Sequence, residues 1–197
     1  MMLKKTLLAI CCCLLWSVAL AAQEAQKSTE DARGGIVIGK DHAFTISAPK
    51  GWVLDNASGS ASGLAVVLYP EGAAGLKGPV FMYANTVSKN QDKKVTLKSV
   101  IESDIKDFKV DSPNLKVTDA ASLKTHTDKN EAVVKYFSGT SADRYEAVAY
   151  IEESTVVVML VMSARTQKEF EASLPAFKEL VQSYFFITGA VVIEEKK

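Results

Sequence analysis

From residue 34 onward, β-branched and aromatic residues alternate with small or polar ones in short runs broken by Gly, Pro and Ser. That pattern predicts strands over 34–39, 43–48, 52–54, 64–69 and 80–87, with a turn at Pro49-Lys50-Gly51 and glycine-rich loops over 55–63 and 70–79. Between 95 and 108 the period changes: Leu97, Val100, Ile101, Ile105 and Phe108 share one helical face, and Lys98, Glu102 and Lys106 form a solvated charge ladder on the other. Strands are expected again over 115–123, 131–138 and 144–151, the last with Tyr145, Ala147, Ala149 and Ile151 on one side. The run 155–163 (TVVVMLVMS) is apolar at almost every position, so it reads as a central strand covered on both faces. A second helix follows, opened by a capping box of Thr166 and Glu169 and carrying Phe170, Leu174, Phe177, Val181 and Tyr184 down one face. Pro175 inside it predicts a kink or a break. An edge strand is expected over 189–193 and a charged tail over 194–197.

The N-terminus follows a different pattern. Lys4 and Lys5 precede an apolar run, and Ala19-Leu20-Ala21 offers small residues for cleavage, which together predict a secretory signal peptide over 1–22. An uncleaved anchor is one alternative, although Leu7 to Ala22 is only 16 residues, short of the ~20 a span needs. A lipoprotein is the other, but no small residue precedes Cys11, and the apolar Leu14, Leu15 and Trp16 would follow the lipid. Residues 23–35 are polar apart from small alanines and read as a flexible linker to one domain over 36–193.

That reading changes what the composition means. Cleavage removes all three cysteines, Cys11, Cys12 and Cys13, so the exported chain is expected to have no disulfide, thiol chemistry or cysteine-bound metal. It also leaves 21 basic against 23 acidic residues, a net of −2, without the basic stripe that nucleic acid requires.

Three segments carry a family resemblance. They are the strand and turn Phe44-Thr45-Ile46-Ser47-Ala48-Pro49-Lys50-Gly51-Trp52, the amphipathic helix with Leu97 near its start, and the stretch Val181-Gln182-Ser183-Tyr184-Phe185-Phe186. Together they resemble the PsbP-like superfamily, which includes the extrinsic photosystem II protein, a Ran-binding import factor and bacterial extracytoplasmic proteins of the DcrB type. The resemblance covers residues 36–187. It implies an α+β fold, an antiparallel β-sheet flanked by α-helices in a PsbP-like α/β/α sandwich, and it supplies no catalytic residues.

The residues themselves offer little chemistry. His42 beside Asp41, and His126 near Asp128, lack any metal-ligand spacing and read as solvated loop histidines; brought together, they would suit a carboxylate–histidine metal site. Ser58 and Ser60 lie in a loop with no Gly-x-Ser-x-Gly elbow, Asn56-Ala57-Ser58 is a formal glycosylation sequon, and Lys77 ends a glycine-rich segment that completes no phosphate loop. Trp52 reads first as a core anchor and second as a stacking surface. Lys89, Lys93, Lys94 and Lys98 form a solvated basic cluster.

No catalytic, cofactor or metal residues are assigned. The expected function is that of a non-catalytic exported accessory protein, periplasmic or secreted, binding a protein partner in the cell envelope through the loops at 55–63 and 70–79. Trp52, Ser58, Ser60, Lys77, His42 and His126 are the possible contacts. A periplasmic small-ligand or metal-binding module is the alternative, followed by a hydrolase. Membrane contact is expected only through the signal segment, if that segment is retained.

Overall fold

A computed structural model describes residues 33–90, 94–126 and 130–191. By its contacts the chain divides into Met1–Gly34, of which only Arg33 and Gly34 are described, and Gly35–Lys197. The expected signal segment and the charged tail lie outside the described residues. So does the linker up to residue 32.

The elements are β1 (Gly34–Gly39), β2 (His42–Ser47), β3 (Trp52–Asp55), β4 (Val67–Pro70), β5 (Val80–Ser88), α1 (Leu97–Asp111), β6 (Lys116–Asp119), β7 (Leu123–Lys124), β8 (Glu131–Ser138), β9 (Tyr145–Glu152), β10 (Val156–Ala164), α2 (Gln167–Ser183) and β11 (Phe185–Thr188). The large sheet runs β3-β4-β5-β10-β9-β8-β6, with β7 also on β8, and its pairings are antiparallel. A smaller sheet runs β1-β2-β11.

Strand β10 lies mid-sheet, and all nine of its residues are buried. Because side chains alternate across a strand, Val156, Val158, Leu160, Met162 and Ala164 enter one core with Phe170, Phe177, Leu180 and Val181 of α2. The small sheet closes that same core with Val37, Phe44 and Ile46. Val157, Met159 and Val161 face the other way, against Val100, Leu97, Ile101, Ile105 and Phe108 of α1. The order of layers is therefore α1, the large sheet, then α2 with the small sheet. This is an α+β fold with an antiparallel sheet flanked by helices. Among the described residues, no helix is long and apolar enough to cross a membrane.

Both helices start on reciprocal caps. The Thr166 hydroxyl accepts from the Glu169 N–H at 3.2 Å, and the Glu169 carboxylate accepts from the Thr166 N–H at 3.1 Å. In α1, Thr96 and Ser99 make the same exchange. Each exchange satisfies donors that a helix start leaves open.

Four expectations need correction. Helix α2 runs through Pro175 without the break that was one of the two expectations there, because that residue and Glu171, whose carbonyl loses its N–H partner, are both exposed and water can take the bond. The strand expected over 115–123 is two, β6 and β7. The strand expected over 64–69 begins only at Val67. The edge strand expected over 189–193 is instead β11, one turn earlier; 189–191 are not strand, and 192–193 lie outside the described residues. Strand β1 also takes Gly34 and Gly35 from the expected linker.

Candidate functional site

The outward face of the small sheet is apolar on its two outer strands and polar on the strand between them. On β2, Phe44 and Ile46 point into the core, so alternation sends Thr45 and Ser47 outward. Antiparallel pairing places Phe185 beside Thr45, on this outward side, and Phe186 beside Phe44. On β1, Val37 is buried while Ile36 and Ile38 are each 59% exposed; on β11, Phe185 is 39% and Ile187 46% exposed. The ring of His126 meets Phe185 edge-on at 6.2 Å. Thr45, Ser47, His126, Ser183 and Phe185 line a shallow hollow of about 370 Å³ there. The end of α2 holds the face in place: the Ser183 hydroxyl accepts the Ser47 N–H at 2.9 Å and donates to the Leu180 carbonyl at 2.7 Å.

One corner of this sheet is polar and closely knit. In the β1–β2 turn, the Asp41 carboxylate contacts His42 Nδ1 at 3.0 Å and accepts the Ser88 hydroxyl, while its backbone carbonyl accepts from Thr155 at 2.8 Å. The Ser88 hydrogen bond, aided by His42, holds the Asp41 carboxyl below its usual value. His42 is not the solvated loop histidine expected. It is 6% exposed, stacks on Phe44 and covers Gly39, where a β-carbon would lie 2.1 Å from its ring. Serine, aspartate and histidine thus meet, but the carboxylate sits between the other two. A hydrolytic triad needs the imidazole in the middle to take the serine proton, so this order does not activate Ser88. Nearby, burial raises the Glu153 carboxyl even though Asn130 at 2.8 Å and the Tyr184 hydroxyl at 3.1 Å donate to it.

A second concavity lies between α1 and the large sheet. It measures about 490 Å³ and mixes Val87, Val95, Val100 and Met159 with Ser99, Ser103, Asp104 and Asp107. The Tyr150 hydroxyl donates to Asp104. Burial pushes Asp104 and Tyr150 up, and Tyr83, in the same apolar cluster, is raised for the same reason. Burial likewise raises Glu146, which accepts from Ser163 at 2.8 Å, while Arg144 donates to that serine's hydroxyl at 2.6 Å. The sequence reading passed over Asp104. Its signal was present: the residue stands four after Val100 and four before Phe108, inside the apolar stripe.

The loop candidates form a separate region. Asp55 turns the chain by accepting from the N–H groups of Ala57 at 2.7 Å and Ser58 at 3.0 Å, and from the Tyr69 hydroxyl at 2.9 Å. Those bonds, the Ser58 N–H foremost, lower its carboxyl pKa. Ser58 and Ser60 are exposed; the Ser60 hydroxyl donates to the Ala57 carbonyl at 2.8 Å. The two loops touch, since a β-carbon on Gly75 would lie 3.9 Å from the Ser58 hydroxyl. Lys77 is exposed, and its carbonyl accepts from Arg165 at 2.8 Å. Trp52 is 8% exposed and belongs to the main core. Among the described residues, no group of three or more His, Cys, Asp or Glu is placed to hold a metal ion.

No family model matches the sequence, and no curated protein matches it. Solved structures do. The chain is similar to the cyanobacterial PsbP (CyanoP) of Synechocystis, with 12% identity and a TM-score of 0.49 over 79% of this chain and 94% of that one. It is also similar to LpqN, involved in cell envelope biogenesis of Mycobacterium tuberculosis, with 14% identity and a TM-score of 0.49 over 78% of this chain and 90% of that one. Neither likeness singles out the DcrB-type branch.

Proposed function

We propose that the chain is an exported, non-catalytic accessory protein that binds a protein partner in the cell envelope, and that the outward face of the small sheet is its docking surface. The carrying observation is that face: Ile36 and Ile38 are exposed on β1 and Phe185 and Ile187 on β11, the two strands that flank β2. Contiguous exposed apolar residues mark interaction sites, whereas scattered ones need no explanation. Covering what these four side chains still expose removes on the order of 400 Å² from water, or roughly 10 kcal/mol gross at ~25 cal/mol per Å². Association costs take back ~4–15 kcal/mol, so this face alone supports a reversible contact. The loops at 55–63 and 70–79, with Ser58, Ser60 and Lys77, are the competing contact region. The N-terminal pattern supports export, and cleavage near Ala21 or Ala22 is part of the same proposal.

The test is crosslinking and pull-down from the envelope fraction of producing cells. Phe185→Lys and Ile187→Lys are expected to lose the recovered partner, while Ser58→Glu and Lys77→Glu retain it. The reverse pattern moves the contact to the loops. Recovery of the protein alone, from every sample, overturns the reading.

A second reading rests on the concavity beside α1, whose mixed apolar and polar lining suits a small ligand. A thermal-shift panel of metabolites and metals, repeated on Asp104→Asn, decides it. A compound that raises the melting point of the wild type more than that of the variant supports it, and a flat panel removes it.

A further inference from the structure

We propose that β1 pairs antiparallel with β1 of a second copy of the chain, joining two small sheets into one of six strands. This goes beyond the accessory reading and needs no other protein, so its failure would leave that reading untouched.

An edge strand offers a row of unpaired N–H and C=O groups, and soluble proteins blunt such edges with charge, proline or bulges. The other edges here are blunted. Strand β3 ends in Asp55, β6 carries Lys116 and Asp119, β7 carries Lys124, and the pairing of β11 shifts register between Phe186 and Thr188. Strand β1, Gly-Gly-Ile-Val-Ile-Gly, has neither charge nor proline over its six residues, and among the described residues it lies at the end of its sheet.

The strand is also self-complementary, as a twofold interface must be. Antiparallel pairing centred on Val37 sets Ile36 opposite Ile38 of the partner subunit, and Gly35 opposite Gly39 of the partner subunit. A slide of two residues keeps one isoleucine pair where this register has two: it sets Ile38 opposite Ile38 of the partner subunit and Ile36 opposite Lys40 of the partner subunit, or Ile36 opposite Ile36 of the partner subunit. Directly opposed β-branched pairs are among the contacts that stabilise a sheet. The apolar face doubles as well, since Ile36 and Ile38 of each copy become neighbours.

Five paired residues in each copy bury far less than the ~800 Å² per partner of a standard interface. The dimer is therefore expected to be weak and to depend on concentration. Sedimentation equilibrium of the protein as produced, from about 5 to about 500 µM, should show an average mass climbing from one copy towards two. Ile38→Lys puts a charge on the open edge at an exposed position and should hold the mass at one copy throughout, with an unchanged melting point. Register is read by disulfide formation in a background carrying Cys11→Ser, Cys12→Ser and Cys13→Ser. Mixing Ile36→Cys with Ile38→Cys brings the two thiols to an opposed pair with α-carbons ~5.5 Å apart, within disulfide reach. Either variant alone leaves a diagonal pair at ~7–8 Å, and should crosslink several-fold more slowly. A constant one-copy mass, an Ile38→Lys variant that still dimerises, or equal crosslinking in mixed and single samples would each overturn the proposal.

Discussion

Helix α1 rests on the sheet through Leu97, Val100, Ile101, Ile105 and Phe108, and through a hydrogen bond from Tyr150 to Asp104. That bond is the sharpest place to test the electrostatics of the α1 concavity. Tyr150→Phe removes the donor with little change in shape and leaves a carboxylate whose pKa burial already raises. A hydrogen bond to a charged group contributes ~1.5–3 kcal/mol, so the variant should lose about 2 kcal/mol at neutral pH, or roughly 4–8 °C in a domain of this size. Asp104→Asn removes charge and desolvation cost together, and is expected to cost less. In that background Tyr150→Phe should cost only about 1 kcal/mol, leaving a coupling of ~1 kcal/mol in the double-mutant cycle. Urea unfolding of the four proteins measures it. Repeating the cycle at acid pH, where Asp104 is protonated, should bring the single-variant cost down towards the neutral figure. A cost below ~0.5 kcal/mol, or one that ignores pH, would mean that water replaces the hydroxyl and that the concavity is wet.

The remaining carboxylates predict a stability optimum on the acid side of neutral. Asp104, Glu146 and Glu153 have raised folded-state values through burial, so their contribution is full below the unfolded value and is lost as pH rises through the folded one. Asp41 and Glu152 are lowered, chiefly by Ser88 and Lys89, so theirs is present above the unfolded value and lost as pH falls through the folded one. Melting points from about pH 3 to 8 should peak on the acid side and fall towards both ends, and Glu146→Gln should flatten the alkaline limb; a curve that the substitution leaves unmoved refutes the assignment. Gly139 has φ +70° and its β-carbon would lie 2.5 Å from the Asn114 carbonyl oxygen, whereas Gly51 at φ +74° faces open space. Gly139→Ala should therefore cost about 2–3 kcal/mol and Gly51→Ala about 1 kcal/mol by thermal or urea unfolding, equal costs being the refuting result. Pro175→Ala should raise stability by about 1–2 kcal/mol, since an exposed helix position regains its hydrogen bond; a lower melting point would show that Pro175 helps elsewhere.

Periodicity and capping made the body of the fold legible. The continuous apolar run over 155–163 required cover on both faces, and α1 supplies one side while α2 and the small sheet supply the other. Legibility failed where identity depends on a distant partner. Phe185-Phe186-Ile187-Thr188 is too short to show a period, and it becomes a strand because β2 offers it hydrogen bonds. His42 looked solvated beside Asp41; the hairpin folds its ring over Gly39, a glycine whose missing side chain makes the room. The six residues singled out from sequence do not converge. Trp52 and His42 are buried, Ser58, Ser60 and Lys77 sit on the loops, and His126 reaches the apolar face through Phe185.

His126 therefore touches the face proposed for docking, and how that face is held bears on the proposal. The small sheet is tied to the body at several independent points. Ser183 bridges α2 to Ser47, Tyr184 joins Phe44 in the core and donates to Glu153, and Asp41 receives Ser88 from β5 and Thr155 from the β9–β10 turn. Binding to a mobile loop pays an ordering cost for each side chain it fixes, about 0.5–1.5 kcal/mol apiece. Side chains on a strand whose neighbours are already fixed pay less. A face of four exposed apolar residues is small, so whether it binds usefully turns on that difference. The polar corner at Asp41 has no reaction to perform in the arrangement seen, since its carboxylate separates serine from histidine. Its physical consequence is to hold the β1–β2 hairpin rigid and to present Ile36 and Ile38 in register along an open edge.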